Sequence, residues 1–149
     1  MDDKEITGLL NNLSRHTSEP ENKRAAEKLL TVETDQIPLL IQPGSKDLWE
    51  NAAALLIKFD FTKIENYIPQ LLDWLQDLNW PGAKIIFTYL LSIDKGKIFS
   101  HIEKSIRIAA DTEDDLWLYN LAYLTRELGV SKTDYSDLRL FNVIENVDE

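Results

Sequence analysis

The sequence predicts an all-α protein, a stack of helical hairpins with about seven or eight helices. Three observations predict it. Apolar residues recur at helical spacing along nearly the whole chain. The stretch 68–93 reads as two such stripes joined by a short turn. The same pattern returns when the chain is displaced against itself by 31 positions, which sets Ile37 on Ile68, Pro38 on Pro69, Leu40 on Leu71, Trp49 on Trp80 and Ala52 on Ala83.

The clearest hairpin is central. Ile68, Leu71, Leu72 and Leu75 lie at i, i+3, i+4 and i+7 on one helical face. Pro69 suits a first turn, where its missing N–H removes no intrahelical bond. Asp77 or Asn79 is placed to cap a second helix near 80–93, with Pro81 in its first turn. Ala83, Ile86, Leu90 and Ile93 form that helix's stripe. The two arms, 68–77 and 80–93, should run antiparallel in contact through Leu72, Leu75, Ala83 and Ile86, with Trp80 largely buried.

The other elements follow in order. Ile6, Leu9, Leu10 and Leu13 mark a first helix, with Asp2 or Asp3 at its start. Ser18-Glu19-Pro20-Glu21 matches a capping box, in which a serine and a glutamate three residues apart bond each other's backbone N–H groups. Ala25, Ala26, Leu29 and Leu30 carry the helix it opens, and Lys23, Arg24, Glu27 and Lys28 form its solvated face. Ile37-Pro38-Leu39-Leu40 begins a third helix that Pro43-Gly44 ends. Ser45 caps a fourth through Leu48, Ala52, Leu55, Leu56 and Phe59, and Thr62-Lys63-Ile64-Glu65 is a second capping-box match. A displacement of 68 sets Asp47-Leu48-Trp49 on Asp115-Leu116-Trp117, so a third unit starts near Phe99, Ile102 and Ile106, with Ala109 to Asp114 as its loop. Gly129 stops the next helix. Leu138, Phe141 and Ile144 give a last helix that covers the open end of the stack, and the acidic tail Glu145 to Glu149 frays.

Composition bounds the function. The 149 residues form one domain, 1–149, able to bury roughly 70% of the unfolded surface. The chain has no cysteine, which excludes disulfides and thiolate metal sites and agrees with a reducing cytoplasm. The N-terminus leads into no apolar run, and no stretch reaches the roughly 20 apolar residues of a membrane span. The net charge of −10 disfavours phosphate backbones and anionic membranes and suits a basic partner.

No residue set reads as catalytic. His16 and His101 lack the neighbours of a metal site, and Lys95-Gly96-Lys97 reads as a turn, not a phosphate loop. Asp73 and Asp77 share a helical face, and Asp114 and Asp115 adjoin another turn. Such pairs can hold a cation, yet no histidine partner or calcium-loop pattern accompanies them, so exposed charge and capping explain them. Trp49, Trp80 and Trp117 each stand where a second helix begins. They serve either as anchors between hairpins or as hot spots along one edge. No metal and no cofactor is implied.

The stretch Leu71-Leu72-Asp73-Trp74-Leu75-Gln76-Asp77-Leu78-Asn79-Trp80-Pro81-Gly82-Ala83 resembles the central segment of a family of small HEAT-like helical-repeat proteins. Asp114-Asp115-Leu116-Trp117-Leu118-Tyr119 resembles its later segment. The likeness spans roughly residues 3 to 128. That family is a domain of unknown function, sometimes labelled an immunity protein. The resemblance implies a HEAT-like α-α solenoid without enzyme chemistry; a larger aliphatic residue is expected where Gly82 stands.

The functional expectation is a non-enzymatic protein-binding module, immunity or regulatory in role. Its partner-binding residues are Asp73, Asp77, Asn79, Trp80, Asp114, Asp115 and Trp117. The alternative is a HEAT-like protein that binds or processes nucleic acid through Lys84, Lys95, Lys97, Lys104 and Arg107.

Overall fold

The computed structural model describes residues 1–147. Among them all regular structure is helical, in nine α-helices and six 3₁₀ segments. α1 (Asp3–Leu10) is capped by Asp2, whose carboxylate accepts the Glu5 N–H at 2.8 Å. It runs on as a 3₁₀ turn, Asn11–Leu13. α2 (Glu19–Leu29) buries Ala25 and Leu29 and exposes Lys23, Arg24, Glu27 and Lys28. Ser18 stands at its N-cap position but makes no capping bond.

The third element is not an α-helix. Thr34–Leu40 is a 3₁₀ segment, starting before Ile37 and ending before Pro43. Pro38 lies inside it, and a proline there removes an N–H and clashes with the carbonyl four residues back, so an α-helix cannot propagate. A capping box opens the segment at Glu33 and Gln36. Another 3₁₀ turn, Lys46–Leu48, leads into α3 (Trp49–Leu56). Ser45 does not cap it, since its hydroxyl donates to the Asp47 carboxylate instead.

The arm expected over 68–77 starts where expected, with Pro69 in its first turn, but the helical run from 61 to 76 is broken. It consists of α4 (Phe61–Ile64), a 3₁₀ turn Glu65–Tyr67, α5 (Ile68–Asp73) and a 3₁₀ end Trp74–Gln76. Pro69 would meet the Glu65 carbonyl in a continuous helix, which accounts for the break and for a count above seven or eight. Asp60 holds the N-cap position of α4, so Thr62-Lys63-Ile64-Glu65 does not act as a capping box there.

α6 (Ala83–Leu91) is followed by α7 (Lys95–Asp111), α8 (Asp115–Glu127) and α9 (Leu138–Glu145). Lys95-Gly96-Lys97 is the first turn of α7 rather than a free turn, because the Asp94 carboxylate accepts the Gly96 N–H at 3.0 Å. Ala109, Ala110 and Asp111 remain in that helix, so the connection to α8 is 112–114 alone and not the longer loop expected. Gly129 ends α8 as expected, with a φ of 71°.

α3 packs on α6 and α6 on α8, while α5 packs on α7 and α7 on both α8 and α9. Leu72, Leu75, Ala83 and Ile86 are all buried. The two arms of the central hairpin meet chiefly where the 3₁₀ end Trp74–Gln76 touches α6, and α5 finds its main partner in α7. One cluster of buried apolar side chains runs from Ile6 to Ile144. α9 adds Leu140 and Ile144 to it, whereas Leu138, expected inward, is 52% exposed. Asp148 and Glu149, part of the tail expected to fray, lie outside the described residues. No helix among the described residues is long and apolar enough to cross a membrane.

Candidate functional site

The turn between α5 and α6 gathers three of the seven expected site residues, Asp77, Asn79 and Trp80. Asp77 leaves the 3₁₀ end in an extended conformation, and its carboxylate accepts the Asn79 N–H at 2.8 Å. The Trp80 N–H returns to the Asp77 carbonyl at 3.1 Å, closing a tight turn. Neither Asp77 nor Asn79 caps α6. Gly82 holds that position in a left-handed conformation, φ 83°, which glycine adopts without steric cost.

Gly82 also has no room for a side chain. A Cβ there would lie 2.7 Å from the Trp49 carbonyl oxygen and 2.8 Å from both Ala53 Cβ and Trp74 Cζ2. Its N–H donates to the Glu50 carboxylate at 2.7 Å. The larger aliphatic residue expected at this position is therefore excluded by the approach of α3.

Three tryptophans meet behind this turn. Trp74 is completely buried, and its indole N–H donates to the Pro81 carbonyl at 2.9 Å. Trp49 lies edge-on to Trp74 at 6.0 Å and to Trp80 at 5.7 Å between ring centroids. The Trp49 indole donates to the Pro43 carbonyl at 2.6 Å. Trp80, expected to be largely buried, is only half-buried, and Trp74 takes the core position instead. The Lys46 ammonium sits 5.7 Å from the Trp49 ring and 5.6 Å from the Trp80 ring.

Trp117 is not the equivalent of Trp80. It is 3% exposed, and its indole donates to the Leu72 carbonyl at 3.1 Å. Asn120 beside it donates to the Leu75 carbonyl at 2.7 Å. These bonds pin α8 to the end of α5, so Trp117 is an anchor between elements and presents no surface to a partner. Asp114 caps α8 by accepting the Trp117 N–H at 3.1 Å, and Asp115 is exposed.

Asp73 is half-buried, with no hydrogen bond or ion pair among the described residues, and burial raises its carboxyl above the usual range. The site thus has two parts. Asp77, Asn79 and Trp80 share one turn, Asp114, Asp115 and Trp117 share one helix start, and the Trp117–Leu72 bond joins the parts next to Asp73.

Sequence reading missed Trp74, Lys46 and Glu50. Lys46 and Trp49 are three apart, a spacing that puts both on one helical face. Nothing local marks Glu50, whose partner Gly82 is distant in the chain.

The remaining candidates are less concentrated. Lys95 is paired with Asp134 at 2.9 Å and Arg107 with Asp137 at 3.6 Å, and Lys97 lies over the Phe61 ring. Lys84 and Lys104 are exposed. His16 is exposed, while burial first and then Lys104 hold His101 below the usual imidazole range. Among the described residues no group of three histidine or carboxylate side chains could hold a metal ion.

A family model described as Domain of unknown function (DUF5071) matches residues 46–146, a span that includes the tryptophan turn and α8. No curated protein and no solved structure matches the chain.

Proposed function

The chain belongs to the family described as Domain of unknown function (DUF5071), and from that premise we propose that it is a non-enzymatic protein-binding module, immunity or regulatory in role, acting in the cytoplasm. In this reading residues 1–149 form one domain of stacked HEAT-like hairpins. The neighbour order α3, α6, α8 beside α5, α7, α9 supports that reading, because successive hairpins of a stack touch mainly the next one.

One observation carries the functional part. Trp80 is half-exposed on a turn held rigidly from below by Gly82, Trp49 and Trp74. Asp77 and Asn79 lie beside it, and Asp73, Asp114 and Asp115 lie at the joined element ends. A rigid aromatic with carboxylates around it is what binds a basic protein surface, since charge steers the approach and the ring supplies buried area. The net charge of −10 acts in the same direction.

The test is capture from host lysate at low and raised salt, using wild type and the double variant Asp77→Lys, Asp115→Lys. A basic protein retained by wild type, weakened by salt and lost on the variant is the expected result. Duplex DNA, single-stranded DNA and RNA are assayed in parallel. Micromolar nucleic-acid binding with a steep salt slope, abolished by Lys84→Glu with Lys104→Glu, would replace this reading with a nucleic-acid-binding one.

A further inference from the structure

We propose that Trp49 and Trp80 form a receptor for an organic ammonium group, and that Lys46 is its built-in occupant, displaced when a partner protein inserts a lysine side chain. This deepens the protein-binding reading and rests on it for the source of the lysine.

The walls are fixed. The two indoles stand nearly perpendicular, 83° between planes with centroids 5.7 Å apart, so they make a corner. Trp49 is held by its bond to the Pro43 carbonyl and backed edge-on by Trp74. The chain that carries Trp80 is drawn against α3 at Gly82, where no Cβ fits. A cation is attracted to an aromatic face by the ring quadrupole, most strongly for tryptophan. The structure shows the group this corner accepts, because the Lys46 ammonium lies at almost the same distance from both rings.

The occupant is not fixed. Lys46 is exposed, and among the described residues its ammonium has no hydrogen bond and no carboxylate partner. The acids nearest in sequence are engaged elsewhere. Asp47 receives the Ser14 and Ser45 hydroxyls, and Glu50 receives the Gly82 N–H. Other lysines over rings differ. Lys63 also donates to the Val32 carbonyl, while Lys97 and Lys132 each face a single phenyl ring. Lys46 alone among the described lysines faces two indoles. An exposed cation held by rings alone is held weakly, so a second ammonium can take its place. The −10 charge of the chain favours such a visitor over an anion.

The consequence is measurable without any partner. The indole N–H resonances of Trp49 and Trp80 are followed by NMR at constant ionic strength while Nα-acetyl-lysine amide is added. Nα-acetyl-norleucine amide serves as the neutral control, and the buried Trp74 and Trp117 are internal references. Lys46→Ala should bind the lysine amide with an apparent Kd about two- to fivefold lower than wild type, the gain from removing an internal competitor of this strength. Adding Trp80→Ala should abolish the response at Trp49. Equal titration of wild type and Lys46→Ala, an equal response to the norleucine amide, or no movement of the two resonances would each overturn the proposal. Should the titration fail while a captured basic protein is still lost on Asp77→Lys with Asp115→Lys, the receptor is refuted and the protein-binding reading stands. Should it succeed with no protein captured, the reverse holds.

Discussion

The tryptophan turn at 74–83 and the junction at 128–138 both join helices over the core, and they treat charge in opposite ways. At the junction every buried or half-buried charge is bonded. Glu103 of α7 is 5% exposed, yet its carboxylate accepts from the Ser136 N–H at 2.9 Å, the Ser136 hydroxyl at 2.7 Å and the Asp137 N–H at 2.8 Å. Lys95 bridges the Gly129 carbonyl and Asp134. Arg126 donates to the Ile144 and Val147 carbonyls at the end of α9. Hydrogen bonds from Arg139 hold the Asp137 carboxyl below its usual range. At the tryptophan turn the N–H groups of Asn79, Trp80 and Gly82 are bonded, but beside it Asp73 is half-buried with no partner among the described residues, and Lys46 rests on rings alone. Buried charge that supports a fold must be paired, because desolvation is otherwise uncompensated. Charge left without such partners on a rigid frame is available to another molecule, and the tryptophan turn has that character.

The comparison breaks most visibly at the tryptophans. Trp74→Ala should cost about 3–5 kcal/mol in urea melts, the range for removing a large core aromatic. Trp80→Ala should cost less than half as much, since its ring already meets water. Equal losses would make the outer ring structural and remove it from the binding edge. Next in size, Glu103→Ala should cost about 2–4 kcal/mol by removing the three charge-assisted hydrogen bonds that tie the start of α9 to α7. A loss within error would mean that water replaces the carboxylate, and the junction would no longer differ from the turn.

The smallest effect sharpens the contrast by its sign. Asp73 has its folded pKa raised by burial, so folding favours the protonated acid. The stabilisation from that preference is full below the unfolded carboxylate pKa and is lost as pH rises through the folded one. At pH 7 the charged form is a liability, and Asp73→Asn should raise Tm slightly. Below about pH 3.5, under the unfolded aspartate value, the two proteins should melt together. A variant less stable than wild type at pH 7 would reveal a favourable partner for Asp73 and dissolve the contrast.

Helices were legible in the sequence because their bonds join near neighbours. The stripes at 6–13 and 68–75 correspond to helical structure, that at 83–93 does so as far as Leu91, and Asp2 and Gly129 act at the helix ends where their chemistry places them. Expected caps at Ser18, Ser45 and Thr62 failed, since a hydroxyl in the right register is free to bond elsewhere or nowhere, as Ser45 does with Asp47. Glu103 could have been flagged from its place on the apolar face with Phe99, Ile102 and Ile106, where a charge needs a partner.

The sequence by itself determined the all-α class, the main apolar stripes and the central turn. Which helix packs on which, and which tryptophan is wall and which is pillar, only the tertiary structure decided. Trp80 and Trp117 carry the same letter in similar surroundings, but Trp117 meets the Leu72 carbonyl, and Trp80 meets Trp49 and water. Gly82 looks replaceable until α3 is set against it. Burial depends on residues tens of positions apart along the chain, and periodicity reports the face a helix buries without naming what covers it.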